Sequence, residues 1–374
     1  MIIKTGEVDI HKISSNISVL EEWLLSRVDY SRPNFNLKDG MRIIEDLYGM
    51  TGTIKEIPSY EDRNFYFESE DGEKYVLKIS SSSEKREILE FQNKAMIHLS
   101  SKINCPTVIS TKDKEEITVS LDEDGQKHYV RLITYLSGEV LGEMKNPSTD
   151  LFYDIGRFMG SLTQSLSDFH HPAAQRDFHW DLKNASSVVR QHMKYLDDPE
   201  KLSVIEYFLN LFDRSVQPYL HNLKMSIIHS DANSYNLVID NTRLGKERIA
   251  IIDFGDIIYS YTIFELAINI AYAILGNKEP IHCASNIVRG YNTIIPLSLF
   301  ELDILFILIN MRLVVSVSIG AFQQIQEPDN EYLKINEAPA WEMLFKLKKI
   351  HPSYPTYVFK HSCNISPYKN SSLK

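Results

Sequence analysis

The feature that most constrains this chain is a pair of polar loops, each placed directly after a short apolar run. Residues 229–236, HSDANSYN, follow the run 225–228, MSII, and residues 253–256, DFGD, follow 248–252, RIAII. A second apolar run, 237–239, and a turn-rich segment separate the two loops, which predicts a β-hairpin. The hairpin would place the end of the first loop beside the start of the second.

The residue types in these loops fit phosphoryl transfer. That chemistry requires a group that orients a hydroxyl, together with ligands for the metal ion that neutralises a triphosphate. Asp231 is the candidate for the hydroxyl. Asn236 and Asp253 supply amide and carboxylate oxygens, the donor atoms that Mg²⁺ prefers. Aspartate and asparagine are also common turn residues, but the full constellation between two strands favours the chemical interpretation.

Charge argues against one class of partner. The 374 residues carry 40 Lys and Arg against 50 Asp and Glu, a formal net charge of −10. Because phosphate backbones attract net-basic surfaces, we expect no nucleic-acid partner. The acidity fits a pocket for a cationic substrate as well as an ordinary solvated surface. The length suits one large two-lobed unit or two modest domains, and nothing in the sequence indicates an oligomeric state.

The cysteines and the apolar segments predict a cytoplasmic protein without a membrane partner. The three cysteines are far apart and form no C-x-x-C pair: Cys105, Cys283 and Cys363. They predict neither a disulfide framework nor a zinc site. The N-terminal MIIKTGE lacks a basic region followed by an apolar run, so no secretory signal is expected. The stretch 304–319 contains Asn310 and Arg312 and is shorter than the ~20 residues of a membrane span, so we expect a buried helix.

The first part of the chain is typical of a small antiparallel sheet with one main helix. Strand-like runs occupy 52–57, 64–67, 74–79, 116–121 and 128–135. The main helix, 83–99, carries its apolar residues on one face. Two more helices, 19–25 and 41–48, would precede the sheet, and the second would end at Gly49.

Helices dominate from Pro147 onward. Helical runs occupy 149–166, 202–220, 261–275, 281–291, 297–319 and 341–350. The predicted fold class is therefore α+β and bilobal. An N-terminal sheet lobe, 1–135, would be joined by a hinge at 134–138 to a larger, mainly helical lobe, 139–374.

Lys78 lies in the middle of the apolar strand YVLKI, so alternation would turn it to the same face as Val76. An inward lysine needs an anionic partner. The following helix offers Glu84, Glu87 and Glu90, and we expect Glu90, beside the apolar face, to be that partner. A solvent-facing lysine on an edge strand is the alternative.

No G-x-G-x-x-G loop is present. The turn from Pro58 to Asn64 is the better candidate for covering phosphates, through Ser59, Asn64 and backbone N–H groups. An ordinary polar hairpin loop would explain the same residues.

These motifs resemble the aminoglycoside phosphotransferase and choline kinase superfamily: H-x-D-x-x-x-x-N, IIDFGD, VLK and the helix glutamate. Within it, several segments are similar to hydroxylysine kinases, including SYEDRNF at 59–65, VRLITYLSG at 130–138 and FHWDL at 178–182. The resemblance covers about 47–347. One departure is Ser230, where the superfamily commonly has glycine.

The resemblance implies a protein-kinase-like fold in which Asp231 is the catalytic base and Asn236 and Asp253 bind Mg²⁺. It also implies that Lys78 and Glu90 position the phosphates of ATP or GTP. Thr134 and Leu136, in the hinge, would contact the nucleotide base.

The substrate implied is a small hydroxyl-bearing amine, with 5-hydroxylysine the leading candidate. Trp180 and Asp181 could line a pocket for its ammonium groups, although Trp180 could equally be a core residue. Asp256 could contact metal or substrate, or cap the helix near Tyr261. We expect His229 to brace the catalytic loop. The substrate carboxylate needs a cation, for which the sequence offers three unranked arginines: Arg131, Arg176 and Arg312.

Two alternatives stay open. The chain could be a kinase of the same fold for homoserine, choline, a sugar or an aminoglycoside. It could also be a pseudokinase that binds nucleotide without turnover, although the intact Asp231, Asn236, Asp253 and Lys78 argue against this.

Overall fold

A computed structural model describes residues 33–59, 62–326 and 337–365 and shows an antiparallel sheet followed by a mainly helical region. The predicted α+β fold is confirmed. The predicted helix at 19–25 and the polar C-terminus, 366–374, lie outside the described residues.

The main sheet contains six strands, all paired antiparallel. They are β1 (Gly52–Ile57), β2 (Arg63–Ser69), β3 (Lys74–Ile79), β4 (Val108–Ile109), β5 (Thr118–Leu121) and β6 (Lys127–Thr134). Their order is β1-β2-β3-β6-β4, and β5 also pairs with β6. Helix α1 (Leu37–Ile43) continues as a π-helical turn, Ile44–Tyr48, and ends at Gly49, whose φ of +70° closes the turn. Helix α2 (Arg86–Leu99) follows β3.

Alternation along the strands gives the sheet two different faces. One face is apolar and packs with α1, through Phe65, Leu77 and Leu132 among others. On the other face, Asn64 pairs in register with Lys78, which pairs with Arg131. A polar row therefore crosses the sheet on the side where α2 and the second region lie.

Eight helices of at least eight residues form the described part of the second region. They are α3 (Thr149–Leu166), α4 (Ala185–His192), α5 (Pro199–Ser215), α6 (Thr262–Ala273), α7 (Pro280–Asn292), α8 (Leu299–Gln326), α9 (Glu337–Lys348) and α10 (Ser353–Ser362). α4 and α10 were not predicted from the sequence. α3 and α7 cross closely, because a Cβ at Gly156 would lie 2.0 Å from the Ile287 carbonyl oxygen.

Two small sheets hold the polar loops. Strand β7 (Glu139–Val140) pairs with β9 (Leu237–Ile239), which forms the predicted hairpin with β10 (Ile249–Ile251). Strand β8 (Met225–Ile228) pairs with β11 (Ile258–Tyr261). Residues 135–138 thus connect the main sheet to the hairpin.

Helix α8 is long and apolar enough to cross a membrane by length and composition, with a mean hydropathy of 2.1. However, 83% of its apolar window is buried inside the protein, and it packs in the central core of the helical region. The predicted buried helix at 304–319 is therefore a core element.

Candidate active site

The catalytic loop runs from the end of β8 to the start of β9, and both of its ends bond to Ile252, the residue before the second polar loop. The Ile252 N–H donates a hydrogen bond to the Asn236 carbonyl oxygen at 3.0 Å. The structure thereby brings Asp231, Asn236 and Asp253 to one edge of the hairpin.

The Asp231 carboxylate is held by two asparagines. Nδ2 of Asn233 lies 3.0 Å from both carboxylate oxygens, and Nδ2 of Asn236 donates to Oδ2 at 2.7 Å. Burial and the charge of Asp256 raise the pKa of Asp231 to about 8, against the opposing effect of Arg312. A raised proton affinity suits a group that receives the proton of an attacking hydroxyl.

Asp253 and Asn236 present oxygen atoms suitable for a hard cation. The Asp253 side chain is 51% exposed, and Lys78 Nζ lies 3.5 Å from its Oδ1. The charge of Lys78 lowers the pKa of Asp253, which keeps it ionised. Asn236 commits its amide nitrogen to Asp231, so its amide oxygen is left to face a ligand. This donor set fits Mg²⁺, which completes its shell with water and phosphate oxygens.

Within the described ranges, no group of three or more His, Cys, Asp or Glu side chains could hold a metal ion. A cage made of those four residue types alone is therefore absent from the described ranges. A two-ligand site of the kind formed by Asn236 and Asp253 does not need one.

His229 braces the loop. The buried ring donates from Nε2 to the Ile252 carbonyl oxygen at 3.1 Å, and its Nδ1 accepts from the Asp231 N–H at 3.3 Å. Burial lowers the pKa of His229 to about 4, so the ring is neutral at physiological pH. The next residue, Ser230, has a φ of +68°, a left-handed conformation that explains why glycine serves well there.

Glu265 is a functional candidate that the sequence did not indicate. It lies on α6, fully buried, and its carboxylate accepts the His229 backbone N–H. Burial raises the pKa of Glu265 to about 7, although hydrogen bonds from His229 and Ser230 oppose the shift. The only available signal was a glutamate inside the otherwise apolar run IFELAINI.

The predicted pairing of Lys78 with Glu90 is wrong. Glu90 accepts from Arg86 Nε at 2.9 Å on the same helix and is 40% exposed. It lines an open cavity of about 660 Å³ together with Glu87, Lys94 and the segment 170–173. Lys78 pairs instead with Asp253.

The α2 positions that face the polar row carry amides rather than a carboxylate. Arg131 is 2% exposed and donates to Gln92 Oε1 at 2.8 Å and to Asn93 Oδ1 at 3.0 Å. The prediction placed Glu90 beside the buried face of α2, but that face includes Gln92 and Asn93 instead. Both terminal nitrogens of Arg131 are therefore engaged inside the protein, and its burial keeps it away from a substrate carboxylate.

The other residues predicted to contact the nucleotide lie in or beside the main sheet. Asn64 lies in register with Lys78, and Ser59 is half-buried before the β1–β2 turn. Thr134 exchanges hydrogen bonds with Thr107, which donates to its hydroxyl at 2.8 Å and accepts its N–H at 2.9 Å. Thr134 therefore secures the sheet, and the half-buried Leu136 remains the hinge prediction.

Asp181 does not line a substrate pocket. Its side chain is 1% exposed, lies 3.0 Å from Lys183 Nζ and accepts from Ser260 Oγ at 2.7 Å. These partners satisfy its charge inside the protein, so the predicted contact with a substrate ammonium is wrong.

Trp180 faces a cation of the protein itself. The Arg312 guanidinium lies 4.9 Å from the ring centroid, and Arg312 Nη1 donates to the Trp180 carbonyl oxygen at 3.1 Å. Arg312 Nη2 lies 3.5 Å from Asp231 Oδ1. Burial lowers the pKa of Arg312, but Tyr272, Asp231 and Asp256 outweigh it and raise that pKa.

Asp256 lies in the second polar loop, and Arg176 contacts the same loop. The N-cap residue of α6 is Tyr261, so Asp256 is not the N-cap of that helix, and its contact with substrate or metal stays a prediction. Arg176 Nη2 donates to the carbonyl oxygens of Gly255, at 2.8 Å, and Ile257, at 3.2 Å. Arg176 thus fastens the second loop.

Sequence comparison finds matches over most of this chain. The model of the phosphotransferase enzyme family matches residues 53–300. Hydroxylysine kinase of Mus musculus is 31% identical over 342 residues, which cover 85% of this chain and 90% of the mouse protein.

Solved structures show the same fold at low identity. An amicoumacin kinase in complex with AMP-PNP and Ca²⁺ has a TM-score of 0.66 at 13% identity, covering 86% of this chain and 97% of its own. The GDP complex of an aminoglycoside 2′-phosphotransferase mutant has a TM-score of 0.57 at 14% identity, covering 84% and 97%.

Proposed function

Because this chain belongs to the phosphotransferase enzyme family, we propose that it transfers the γ-phosphoryl group of a nucleoside triphosphate to the side-chain hydroxyl of 5-hydroxylysine. The observation that carries the proposal is the convergence of Asp231, Asn236, Asp253 and Lys78 at one edge of the hairpin. The similarity to mouse hydroxylysine kinase supports the choice of acceptor.

The chemistry follows from the residues present. The substrate hydroxyl donates a hydrogen bond to the Asp231 carboxylate and passes its proton there as its oxygen bonds to the γ-phosphorus. The bond from that phosphorus to the bridging oxygen breaks, and the nucleoside diphosphate leaves. Lys78, 3.5 Å from Asp253, is placed to bind phosphate oxygens.

Asn236 and Asp253 would hold Mg²⁺, which when bound neutralises charge on the triphosphate. The solved relatives contain AMP-PNP with Ca²⁺, and GDP, respectively, which supports a nucleotide donor here. The proposed donor is ATP or GTP. The free cysteines, Cys105, Cys283 and Cys363, fit a cytoplasmic location, which is part of the proposal.

Electrostatics favours a substrate that carries ammonium groups. Asp231 and Asp256 lie close enough to raise the pKa of Asp231, and Arg312 is the cation paired with Asp231. An ammonium group of the acceptor placed beside Asp231 and Asp256 would be attracted to these carboxyl groups. Homoserine, choline, a sugar or an aminoglycoside remain the competing acceptors.

An acceptor panel tests the proposal. Nucleoside diphosphate release would be measured with Mg²⁺ and ATP or GTP for 5-hydroxylysine, homoserine, choline, glucose and kanamycin, with Asp231→Asn as the blank. We expect the highest kcat/KM for 5-hydroxylysine. A better acceptor elsewhere in the panel would refute the substrate, and release that no acceptor stimulates would refute transfer itself.

A further inference from the structure

Arg312 is a buried arginine that reaches the candidate catalytic base from a core helix. It is 2% exposed and lies on α8, 81 positions from Asp231 in the sequence. It also lies beyond residues 53–300, the part of the chain that the family model matches. Its place at the active site therefore follows from the structure of this chain.

The contacts of Arg312 hold one particular carboxylate oxygen. Asn236 binds Oδ2 of Asp231, Asn233 contacts both oxygens, and Arg312 Nη2 approaches Oδ1 at 3.5 Å. In the part of the chain that the structure describes, Arg312 is the one cation that forms an ion pair with Asp231. The carboxylate is thus held by two side-chain amides and by one charge.

The guanidinium itself is fixed in place by a clamp, which we define as Trp180 and Tyr272. Its central carbon lies 4.9 Å from the Trp180 ring centroid and 5.5 Å from that of Tyr272. The Trp180 carbonyl oxygen binds Nη1 at 3.1 Å. A guanidinium stacked on aromatic faces loses much of its freedom to reorient.

The neighbouring Asp181 explains how the clamp is held. It is buried, bonded to Ser260 on β11, and paired with Lys183. Since β11 pairs with β8, which delivers the catalytic loop, the clamp and Asp231 are carried by one framework. Trp180 therefore contacts one cation of the protein, Arg312, and Asp181 pairs with another, Lys183.

We propose that Arg312 is a positioning residue for phosphoryl transfer, which fixes the Asp231 carboxylate toward the acceptor hydroxyl and depends on the clamp for its own orientation. This inference rests on the proposed phosphotransferase function. It does not rest on the identity of the acceptor. Arg312 is buried, and its Nη1 and Nη2 atoms face the Trp180 carbonyl oxygen and Asp231. It is therefore not free to form a bidentate pair with a substrate carboxylate.

The test compares three variants. Arg312→Met removes the charge, Arg312→Lys keeps the charge, and Trp180→Phe keeps an aromatic face. Arg248→Met is the matched control, because Arg248 is 16% exposed and pairs with Asp154 at 2.9 Å, away from the clamp. The acceptor is the one that wild-type protein uses best in the panel. Circular dichroism and thermal unfolding establish folding, and nucleotide Kd is measured separately from kcat and KM.

We expect Arg312→Met to lower kcat about 100-fold, the usual cost of misplacing a reacting group by about 1 Å, with acceptor KM and nucleotide Kd within a factor of about 3. Arg312→Lys and Trp180→Phe should lose less, and Arg248→Met should keep wild-type kcat. If Arg312→Met does not fold, the test relies on Arg312→Lys and Trp180→Phe. A lowered kcat at unchanged KM in those two variants would then support the inference.

Two results would overturn the inference. A raised acceptor KM with unchanged kcat would make Arg312 a substrate-binding residue. Loss of kcat in all the arginine variants in proportion to lost folded protein would make it purely structural. If the wild-type protein phosphorylates no acceptor in the panel, the proposed function is refuted instead. The two failures are therefore distinguishable.

Discussion

Single residues at the candidate site differ in whether they are buried among partners or exposed. Asp181 and Arg131 are buried and bonded to neighbouring side chains, whereas the Asp253 side chain is half-exposed and has Lys78 on one side. Exposed and ionised groups are free to bind a metal-nucleotide complex, and buried, paired groups hold the framework. The effects of single substitutions should follow this division.

Replacing Asp231 with Asn should abolish the proton acceptor while preserving the shape of the loop. We expect kcat to fall about 10²–10⁴-fold, the range for a general base, with nucleotide affinity nearly unchanged. Steady-state kinetics and isothermal titration with a non-hydrolysable nucleotide measure the two quantities. Near-normal turnover would remove Asp231 from this role.

Replacing Asp253 with Ala removes a proposed metal ligand and the partner of Lys78. Nucleotide binding and turnover should weaken together, and the Mg²⁺ concentration for half-maximal activity should rise. A Mg²⁺ titration of wild-type and variant protein measures this. Identical Mg²⁺ dependence would assign Asp253 another function.

Glu265 should make stability depend on pH. Burial raises its pKa in the folded protein from 4.5 to about 7, so its favourable contribution is complete below pH 4.5 and is lost as the pH rises through 7. Glu265→Gln does not titrate. The variant should therefore gain stability relative to wild type between pH 5 and pH 8, by about 1–3 kcal/mol at ~1.4 kcal/mol per pH unit.

Urea unfolding at several pH values provides the measurement for Glu265. A difference between Glu265→Gln and wild type that does not change with pH would show that the carboxyl titrates alike in the folded and unfolded states.

Among the elements, those with a regular hydrophobic period could be predicted, and those fixed by tertiary partners could not. Strands β1 and β3 match the expected 52–57 and 74–79, since their side chains alternate between an apolar core and the polar row. The phase of α2 was missed because Gln92 and Asn93 are buried by pairing with Arg131. Helix α4 was missed because its sequence, ASSVVRQH, is short and polar.

The crossing of α3 and α7 depends on two glycines. A Cβ at Gly156 or Gly290 would lie 2.0 Å from a carbonyl oxygen of the opposite helix, that of Ile287 or Tyr153. Gly156→Ala and Gly290→Ala should each destabilise the protein by about 1–3 kcal/mol through overpacking. Gly320→Ala on α8 is the control, because nothing lies within 4 Å of its added Cβ.

Chemical denaturation of the three glycine variants tests this packing argument. The control should be unchanged or more stable by up to ~1 kcal/mol, as alanine favours helix. Equal stability of all three variants would contradict the account of the crossing.

At the scale of the whole molecule, the site is assembled from segments that are distant in the sequence. Lys78 comes from the sheet, Asp231 and Asp253 from the hairpin loops, Trp180 from the segment before α4, and Arg312 from the core helix. The loop motifs predicted their own part of the site, since their spacing is local. The contribution of Arg312 and the burial of Asp181 depend on tertiary packing, which has no local pattern.

The central claim concerns which atom receives the phosphoryl group, and identifying the product tests it most directly. The protein would be incubated with Mg²⁺, ATP or GTP and 5-hydroxylysine, and the product examined by mass spectrometry and phosphorus–proton correlation NMR. The account predicts a monophosphate ester whose phosphorus couples to the proton on the carbon that bears the side-chain hydroxyl. Nucleotide consumption without that ester, or phosphate on the carboxylate or an amine, would contradict it.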